Sequence, residues 1–277
     1  MTAVPTLAGV IGWPIAHSRS PRLHGHWLRQ YSIDGHYIPL ALPPERFSAG
    51  LTALQTLGFR GANVTLPHKT AALAQAARAS DRARRIGAAN TLTFLPNGGF
   101  EADNTDCYGF LESLRAAQPD WRADTGPALV LGAGGAARAV VDALLDAGAP
   151  VLRIANRSPE RIAALQADFG PRIEPTRWPV EPESLRDVAT LVNTTTCGMN
   201  GQNDLALALD AATAACVVVD LVYTPLETGL LREAKAHELA AVDGLGMLLH
   251  QAVPGFEAWF GRRPVVDAAL RAAVLGA

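Results

Sequence analysis

Three clusters of polar residues in the first half of the chain could perform acid–base chemistry on a small hydroxylated molecule. They are Ser18-Arg19-Ser20-Pro21, Asn63-Val64-Thr65-Leu66-Pro67-His68-Lys69 and Asn104-Thr105-Asp106, and Asn90 lies between the last two. Each cluster stands at the end of a strand pattern or the start of a helix pattern, where α/β proteins place ligands. Hydroxyls, amides and one lysine–aspartate pair suit a polyol carboxylate better than an apolar ligand.

Each cluster taken alone also has a purely structural interpretation. Ser18 and Ser20, or the residues from Asn104 to Asp106, could simply cap helices. Lys69 alone could be a solvated surface charge. The functional interpretation therefore depends on the clusters acting together.

The acid–base group that such chemistry requires is expected to be a side chain of this first half. None of the tyrosines at 31, 37, 108 and 223 has a lysine four residues later, so the chain lacks the Tyr-x-x-x-Lys pair of short-chain dehydrogenases. His24 and His26 are neighbours, but no complete set of metal ligands accompanies them, so no metal site is expected.

The strongest single motif is a glycine-rich turn at Gly132-Ala133-Gly134-Gly135-Ala136-Ala137. It has the form GxGxxA, follows a strand pattern and opens a helix pattern. Gly132 permits the tight turn, Gly134 lets the backbone approach a pyrophosphate, and Ala137 is small enough for close helix–strand packing. The free N–H groups of the helix start would then face the phosphates. The alternative of an ordinary glycine-rich turn is weakened because a second strand–helix unit follows.

The end of that second strand indicates which dinucleotide binds. An NAD site expects an acid there for the ribose 2′-hydroxyl. This chain instead has Asn156-Arg157-Ser158, with Arg161 one helical turn further on. Guanidinium groups favour a 2′-phosphate through forked, charge-assisted hydrogen bonds, so NADP is the predicted cofactor. In the alternative, Arg157 and Arg161 are merely exposed helix residues.

The elements that must position these residues alternate between strand and helix patterns. In the first half, strands are expected at Thr6–Ile11, His36–Leu42, Gly61–Leu66, Asn90–Phe94 and Gly99–Ala102, and Pro67 is expected to open an alanine-rich helix through about Ala79. In the second half, strands are expected at Ala128–Leu131, Val151–Ala155, Thr190–Asn193, Val217–Leu221 and Ala240–Val242, and the tail from Gly246 looks all-helical. This alternation predicts a parallel sheet covered by helices.

Composition agrees with a globular enzyme and excludes several other classes. Of 277 residues, 49% are hydrophobic and 18% charged, which allows a real core and does not indicate disorder. A net charge of -2 offers no basic surface for nucleic acid or anionic membranes. Three scattered cysteines indicate a reducing compartment. The amino-terminal segment lacks the basic region of a signal peptide, so a soluble cytoplasmic protein is expected.

Together the motifs resemble the shikimate dehydrogenase family, in order along most of the chain. The matching elements are Ser-x-Ser-Pro-x-x-His at Ser18–His24, Asn-Val-Thr-x-Pro-x-Lys at Asn63–Lys69, Ala-x-Asn-Thr at Ala88–Thr91, Asn-Thr-Asp-x-x-Gly at Asn104–Gly109, Gly-Ala-Gly-Gly-Ala-Ala at Gly132–Ala137, Asn-Arg at Asn156–Arg157, Asn-Thr-Thr at Asn193–Thr195, Asp-x-x-Tyr-x-Pro at Asp220–Pro225 and Asp-Gly-x-Gly-Met-Leu-x-x-Gln at Asp243–Gln251. One departure is His68, where family members often have Tyr, and a packing or solvent role is expected for it.

The resemblance implies the roles of individual residues. Lys69 and Asp106 would be the catalytic pair. Substrate would be bound by Ser18 and Ser20 through its carboxylate, by Asn63, Thr65, Asn90, Asp106 and Gln251 through its ring hydroxyls, and by Tyr223 in the pocket wall. NADP would be held by Gly132, Ala133, Gly134, Gly135, Ala136, Asn156, Arg157, Arg161, Thr194, Leu221, Gly244 and Met247. The reaction implied is the reversible NADP-dependent oxidation of shikimate to 3-dehydroshikimate, a step of aromatic amino-acid biosynthesis.

The expected fold is α/β, with an N-terminal α/β substrate domain, a Rossmann-type doubly wound NADP-binding domain, and the active site in the cleft between them. The substrate-binding and catalytic domain is expected at residues 1–105, completed by C-terminal helices at 247–277. Residues 106–123 would form a linking helix and connector, and 124–246 the NADP-binding domain. The expected partner is a small-molecule substrate, with no nucleic acid or membrane and with a homodimer as one option.

Two other functions remain open at this point. The first is a quinate or dual quinate/shikimate dehydrogenase that uses NAD, since the extra hydroxyl of quinate needs only a small change of pocket. The second is a non-catalytic NADP-binding regulatory module, against which the presence of both Lys69 and Asp106 argues.

Overall fold

The computed structural model describes residues 4–276, and residues 1–3 and 277, which the domain prediction includes, lie outside the described residues. The chain forms two compact units. The first unit contains the described residues up to Thr105 and those from Gln251 onward, and the second contains Asp106–His250. The chain therefore passes from one unit to the other just before Asp106 and again at Gln251.

The first unit is built on a six-stranded sheet in the order β2-β1-β3-β5-β6-β4. Its strands are β1 (Thr6–Gly12), β2 (Gly35–Ala41), β3 (Phe59–Val64), β4 (Arg78–Ala79), β5 (Thr91–Phe94) and β6 (Phe100–Asp103). Its helices are α1 (Ser20–Gln30), α2 (Phe47–Thr56), α3 (Lys69–Ala74), α4 (Asp81–Ile86), the later part of α9 (Gly244–Phe260) and α10 (Ala268–Leu275). Buried Ile11, Phe47, Val64 and Leu92 belong to the apolar core that the sheet shares with α2.

This first sheet contains parallel and antiparallel pairs, and this pairing brings polar residues together at the ends of three neighbouring strands. β1 pairs in parallel with both β2 and β3, whereas β5 is antiparallel to β3 and β6. The register sets Asn63 opposite Thr91 and Thr91 opposite Asp103. The end of β3, the start of β5 and the end of β6 therefore lie side by side.

The prediction of a long alanine-rich helix that continues to about Ala79 is wrong. The helix α3 covers only Lys69–Ala74. The backbone N–H of Ala77 then donates to the Phe100 carbonyl, and Arg78–Ala79 joins the sheet as β4. Pairing with β6 overrides the helix propensity of alanine. Helix α4 was not predicted either, although Ser80 caps its start by accepting a hydrogen bond from the Ala83 N–H at 3.1 Å.

The second unit confirms the doubly wound parallel sheet predicted for the dinucleotide-binding half. Its strand order is β12-β11-β10-β7-β8-β9, and every pairing is parallel. The strands are β7 (Ala128–Leu131), β8 (Leu152–Ala155), β9 (Ile173–Thr176), β10 (Thr190–Asn193), β11 (Val217–Asp220) and β12 (Ala240–Val242). The helices are α5 (Asp106–Ala117), α6 (Gly135–Asp146), α7 (Pro159–Phe169), α8 (Gly229–Ala236) and the start of α9.

Strand β9 escaped sequence analysis because Pro175 interrupts its pattern. Proline cannot donate to a ladder and is confined to edge strands, and β9 is the edge of this sheet. At the sheet centre, buried Leu129, Leu131, Leu191 and Val218 form the apolar core. Among the described residues, no helix is long and apolar enough to cross a membrane.

Candidate active site

The glycine-rich turn lies between β7 and α6, as its motif predicts. Gly132 follows the last residue of β7, Gly134 is the N-cap of α6, and Gly135 begins the helix. Gly132 has φ +106°, a left-handed conformation that favours glycine, and its N–H donates to the Ala155 carbonyl at 2.8 Å. A Cβ atom built at Gly134 would meet no other residue within 4 Å. The turn thus leaves the helix start open to a phosphate group.

The turn stands where the strand order reverses. β7 is flanked by β8 on one side and β10 on the other, so the crevice of a doubly wound sheet opens between the carboxyl ends of β7 and β10. Thr194, just after β10, donates its hydroxyl to the Leu131 carbonyl at 2.7 Å. Thr194, a predicted cofactor residue, is thereby held beside Gly132, where a Cβ atom would lie 2.7 Å from the Thr194 hydroxyl oxygen.

A cavity of about 500 Å³ opens beside the turn, within the second unit. Many of the predicted cofactor residues line it: Gly132, Ala133, Gly134, Asn156, Arg157, Arg161 and Thr194. The rest of its wall was not predicted and consists of Leu131, Trp178–Val180, Thr195–Cys197 and Gln202–Leu207. The Trp178 segment follows β9, so recognising that strand would have pointed to it.

Arg157 and Arg161 belong to the wall of this cavity. Both side chains are exposed, and neither forms an ion pair with another residue in the described part of the chain. Arg153, on the neighbouring strand β8, contrasts with them because it binds Asp187 with an N–O distance of 2.7 Å. Asn156 directs its amide to the Ser158 carbonyl at 3.0 Å, which shapes the loop that bears Arg157. Two uncompensated guanidinium groups at this strand end suit a 2′-phosphate.

The remaining predicted cofactor residues lie outside the cavity wall. Gly135 and Ala136 are exposed in the first turn of α6. Leu221 and Gly244 approach each other closely, because a Cβ at Gly244 would lie 2.2 Å from the Leu221 carbonyl oxygen. Met247 is half-buried on α9. The NADP roles of these residues stay predictions.

In the first unit, the ends of β1 and β3 bring the predicted substrate residues together. The Thr65 N–H donates to the Ile11 carbonyl at 2.9 Å, and the Trp13 N–H donates to the Leu66 carbonyl at 3.1 Å. Ser18 follows β1, and its hydroxyl accepts from the Ser20 N–H at 3.3 Å. Neither serine is the N-cap of α1, which is Arg19, so simple capping does not explain them.

Asn63 and Asn90 are joined in one buried hydrogen-bond network. Asn63 Nδ2 donates to the Asn90 carbonyl and to Thr91 Oγ1, both at 3.2 Å. Asn90 Oδ1 accepts from the Thr105 N–H at 2.8 Å. The network therefore runs from β3 through the start of β5 to the residue just before Asp106.

Lys69 is the first residue of α3 and is half-buried. Its carbonyl accepts from the Ala89 N–H at 2.9 Å, which ties it to the residue before Asn90. His68 anchors the same point: its ring stacks on Phe47 at 4.5 Å between centroids, and its Nε2 lies 2.7 Å from the Leu42 carbonyl oxygen. Of the packing or solvent role expected for His68, the structure shows packing, because only 2% of the residue is exposed.

The other predicted substrate residues occupy separate elements. Asp106 begins α5, and Tyr223 lies in the loop after β11; both belong to the second unit and are half-buried. Gln251 lies on α9, at the first position of the chain's return to the first unit.

A buried carboxylate supports the loops around β10 and β11. Asp220 accepts hydrogen bonds from the Val222 N–H at 3.0 Å and from the Thr228 hydroxyl at 2.7 Å. Burial raises the pKa of this carboxyl group above its ordinary range, and the hydrogen bonds from Thr228, Val222 and Asn193 offset the rise in part.

Comparison with known proteins assigns the chain to a family. Models of the shikimate dehydrogenase substrate-binding domain and of the shikimate 5′-dehydrogenase C-terminal domain match residues 10–92 and 244–274. Shikimate dehydrogenase (NADP(+)) of Paramagnetospirillum magneticum is 56% identical over 99% of this chain and 100% of its own length. The enzyme of the same name from Acidiphilium cryptum is 59% identical over 97% of this chain and 95% of its own length.

A solved structure shows the same relationship. The crystal structure of shikimate 5-dehydrogenase from Thermus thermophilus, in complex with NADP(H) and shikimate, superposes with a TM-score of 0.86 at 39% identity. That alignment covers 98% of this chain and 99% of the other. The ordered motifs, the parallel sheet with its phosphate-binding turn, and these full-length matches establish that the chain belongs to the shikimate dehydrogenase family.

Proposed function

We propose that this protein is an NADP-dependent oxidoreductase that interconverts 3-dehydroshikimate and shikimate on the route to aromatic amino acids. The observation that carries the proposal is the cavity shared by the Gly132–Gly134 turn and the exposed side chains of Arg157 and Arg161. A turn for a pyrophosphate and two guanidinium groups for a 2′-phosphate match NADP, and the full-length relatives are named for the same cofactor.

We place the substrate on the polar residues predicted to bind it, most of which belong to the first unit. Ser18 and Ser20 would hold its carboxylate, and Asn63, Thr65, Asn90, Asp106 and Gln251 its ring hydroxyls, with Tyr223 beside it. The supporting observation is the convergence of the β1, β3 and β5 ends described above. Most of these side chains offer neutral donors and acceptors, as a polyol requires.

In the proposed mechanism, Lys69 exchanges the proton of the reacting oxygen. Bound NADPH supplies the hydride. Lys69 donates a proton to the oxygen at C3 as the carbonyl is reduced, and accepts it in the reverse direction. Asp106 orients the reacting hydroxyl and Lys69 by hydrogen bonding. Lys69 is the first residue of α3, and the contacts of His68 and Ala89 hold the backbone at this point. This supports a defined location for the amine.

We further propose the domain roles expected from the sequence. Residues 1–105 with 247–277 would bind substrate, 106–123 would link, and 124–246 would bind NADP. A cytoplasmic location, a single small-molecule partner and a homodimer complete the proposal.

Initial rates of cofactor reduction test this function directly. Purified protein would be assayed with shikimate and with quinate, each paired with NADP and with NAD. Turnover chiefly with shikimate and NADP is the expected result. Turnover chiefly with quinate or NAD would overturn the specificity, and no turnover in any pairing would favour a regulatory NADP-binding module.

A further inference from the structure

A buried tyrosine makes a hydrogen bond with Asn63, one of the residues proposed to bind the substrate. Tyr37 lies on β2, and its hydroxyl donates to Asn63 Oδ1 at 2.6 Å. β1 separates β2 from β3, and the register puts Ala8 between Tyr37 and Gly61. The small side chain of Ala8 leaves room for the phenol to reach across β1 to Asn63.

The hydrogen bonds of Asn63 determine what it can still offer to a ligand. Its two amide hydrogens are directed to the Asn90 carbonyl and to Thr91 Oγ1. Its Oδ1 accepts from Tyr37, and an amide oxygen has two lone pairs. Asn63 can therefore meet a ligand only as a hydrogen-bond acceptor, through the second lone pair of Oδ1.

In Asn90, unlike Asn63, the amide oxygen is the atom whose hydrogen bonds are already made within the protein. Its Oδ1 accepts from the Thr105 N–H at 2.8 Å, from Thr91 Oγ1 at 2.9 Å and from Thr105 Oγ1 at 3.1 Å. These donors saturate the amide oxygen. Any hydrogen bond from the Asn90 amide to a ligand must therefore be donated by Nδ2.

We propose that Tyr37 is a positioning residue that holds the Asn63 amide in this orientation, so that Asn63 accepts a hydrogen bond from a substrate hydroxyl. The inference rests on the proposed function, which places both amides against the substrate. An acceptor recognises a hydroxyl and disfavours a carbonyl or ether oxygen at the same place, because two acceptors facing each other leave both unsatisfied. Asn63 would thus select for a free ring hydroxyl.

The surroundings of Tyr37 hold its ring and its proton in place. His24 stacks on the phenol with 3.8 Å between ring centroids and 2° between planes. Burial raises the pKa of Tyr37 well above its ordinary value, and a hydrogen bond with Ser20 opposes this only in part. Burial also lowers the pKa of His24 to about 3, although the nearby Asn63 amide opposes the shift. The phenol therefore stays protonated and the imidazole neutral around neutral pH.

The test compares Tyr37→Phe with the matched control Tyr31→Phe. Tyr31 also belongs to the first unit, and its hydroxyl makes a hydrogen bond of 3.0 Å with the Val265 N–H, away from Asn63. Calorimetric titration of the full chain with shikimate would give the dissociation constant, and NADP titration would serve as an internal reference. We expect Tyr37→Phe to weaken shikimate binding roughly tenfold, with NADP affinity unchanged and the effect constant around neutral pH. Tyr31→Phe should leave both affinities unchanged.

An analogue series makes the test specific to hydrogen-bond polarity. Shikimate derivatives with one ring hydroxyl replaced by a methoxy group cannot donate at that position. One derivative should bind poorly to the unaltered protein yet show little further loss in Tyr37→Phe, because both changes remove the same interaction. Equal losses in the two tyrosine variants, or additive losses for every derivative, would overturn the role of Tyr37. Turnover by the unaltered protein tests the proposed function separately.

Discussion

The Asp220 carboxylate accepts a hydrogen bond of 2.9 Å from the Asn193 amide, and both residues are completely buried. Asn193 in turn accepts from the Thr195 N–H at 3.0 Å and from the Thr195 hydroxyl at 2.7 Å. Thr195 lines the proposed NADP cavity. A carboxylate that does not line the cavity therefore holds one of its walls.

Replacing Asp220 should destabilise the second unit. Asp220→Ala would leave the Asn193 amide, the Val222 N–H and the Thr228 hydroxyl without their acceptor, at a cost of roughly 2–4 kcal/mol in the free energy of unfolding. Asp220→Asn keeps one acceptor oxygen and should cost less. Urea unfolding of both variants measures the difference, and an alanine variant as stable as the unaltered protein would contradict the hydrogen-bond assignment.

The raised pKa of Asp220 also predicts how stability varies with pH. A carboxyl group whose pKa is higher in the folded state retains its proton there after the unfolded chain has released it. Its contribution to stability therefore declines as pH rises from the unfolded pKa to the folded one, and is constant above that. Asp220→Asn lacks this dependence, so its stability relative to the unaltered protein should improve between about pH 4 and pH 7. Unfolding curves at both pH values would refute this if the difference stayed constant.

Lys69→Ala should lower kcat by about 10²–10⁴-fold and change KM little, because it removes a positioned acid–base group. The chain offers a matched control in Lys235, an exposed residue of α8 whose ammonium group lies 2.6 Å from Glu227. Lys235→Ala should turn over normally. Steady-state kinetics of the two variants would decide, and near-normal kcat in Lys69→Ala would rule out the proposed proton transfer.

Arg157→Ala should weaken NADP binding far more than NAD binding, since only NADP has a 2′-phosphate. A loss of roughly tenfold or more in NADP affinity is expected from removing a charged hydrogen-bond partner. Arg122, whose guanidinium binds Asp124 at 2.7 Å, provides a control of the same residue type. Fluorescence titration with both dinucleotides tests this. Equal losses for NADP and NAD would show that Arg157 does not recognise the phosphate.

Two glycines of the phosphate-binding turn should respond differently to alanine. Gly134→Ala meets no protein atom, so the melting temperature should stay unchanged while NADP affinity falls, because the methyl group would occupy the approach to the pyrophosphate. Gly132→Ala should lower the melting temperature, since its Cβ would lie 2.7 Å from Thr194 Oγ1 at a φ of +106°. Undiminished NADP affinity in Gly134→Ala would exclude this turn as the pyrophosphate site.

The sequence by itself determined the local features of the cofactor-binding half, namely its glycine-rich turn and the arginines after β8. The turn at Gly132–Ala137 follows from glycine conformation and helix-start geometry, which are properties of neighbouring residues. The absence of an acid after β8, with Arg157 and Arg161 in its place, was equally visible. The parallel sheet also followed, because its strands are continuous apolar runs separated by helix patterns.

Only the tertiary structure decided where pairing between distant segments overrides local preference. β4 draws the chain out of the expected helix after Ala74, and the edge strand β9 tolerates Pro175, although neither outcome is visible in local propensity. Likewise, the sequence identified Asn63 and Asn90 as motif residues. It did not show whether the amide oxygen or the amide nitrogen of each side chain can face a ligand. Tyr37, on β2, and Thr105, just after β6, decide that. The fold brings them there from remote positions in the sequence, since a hydrogen bond depends on distance in space and not along the chain.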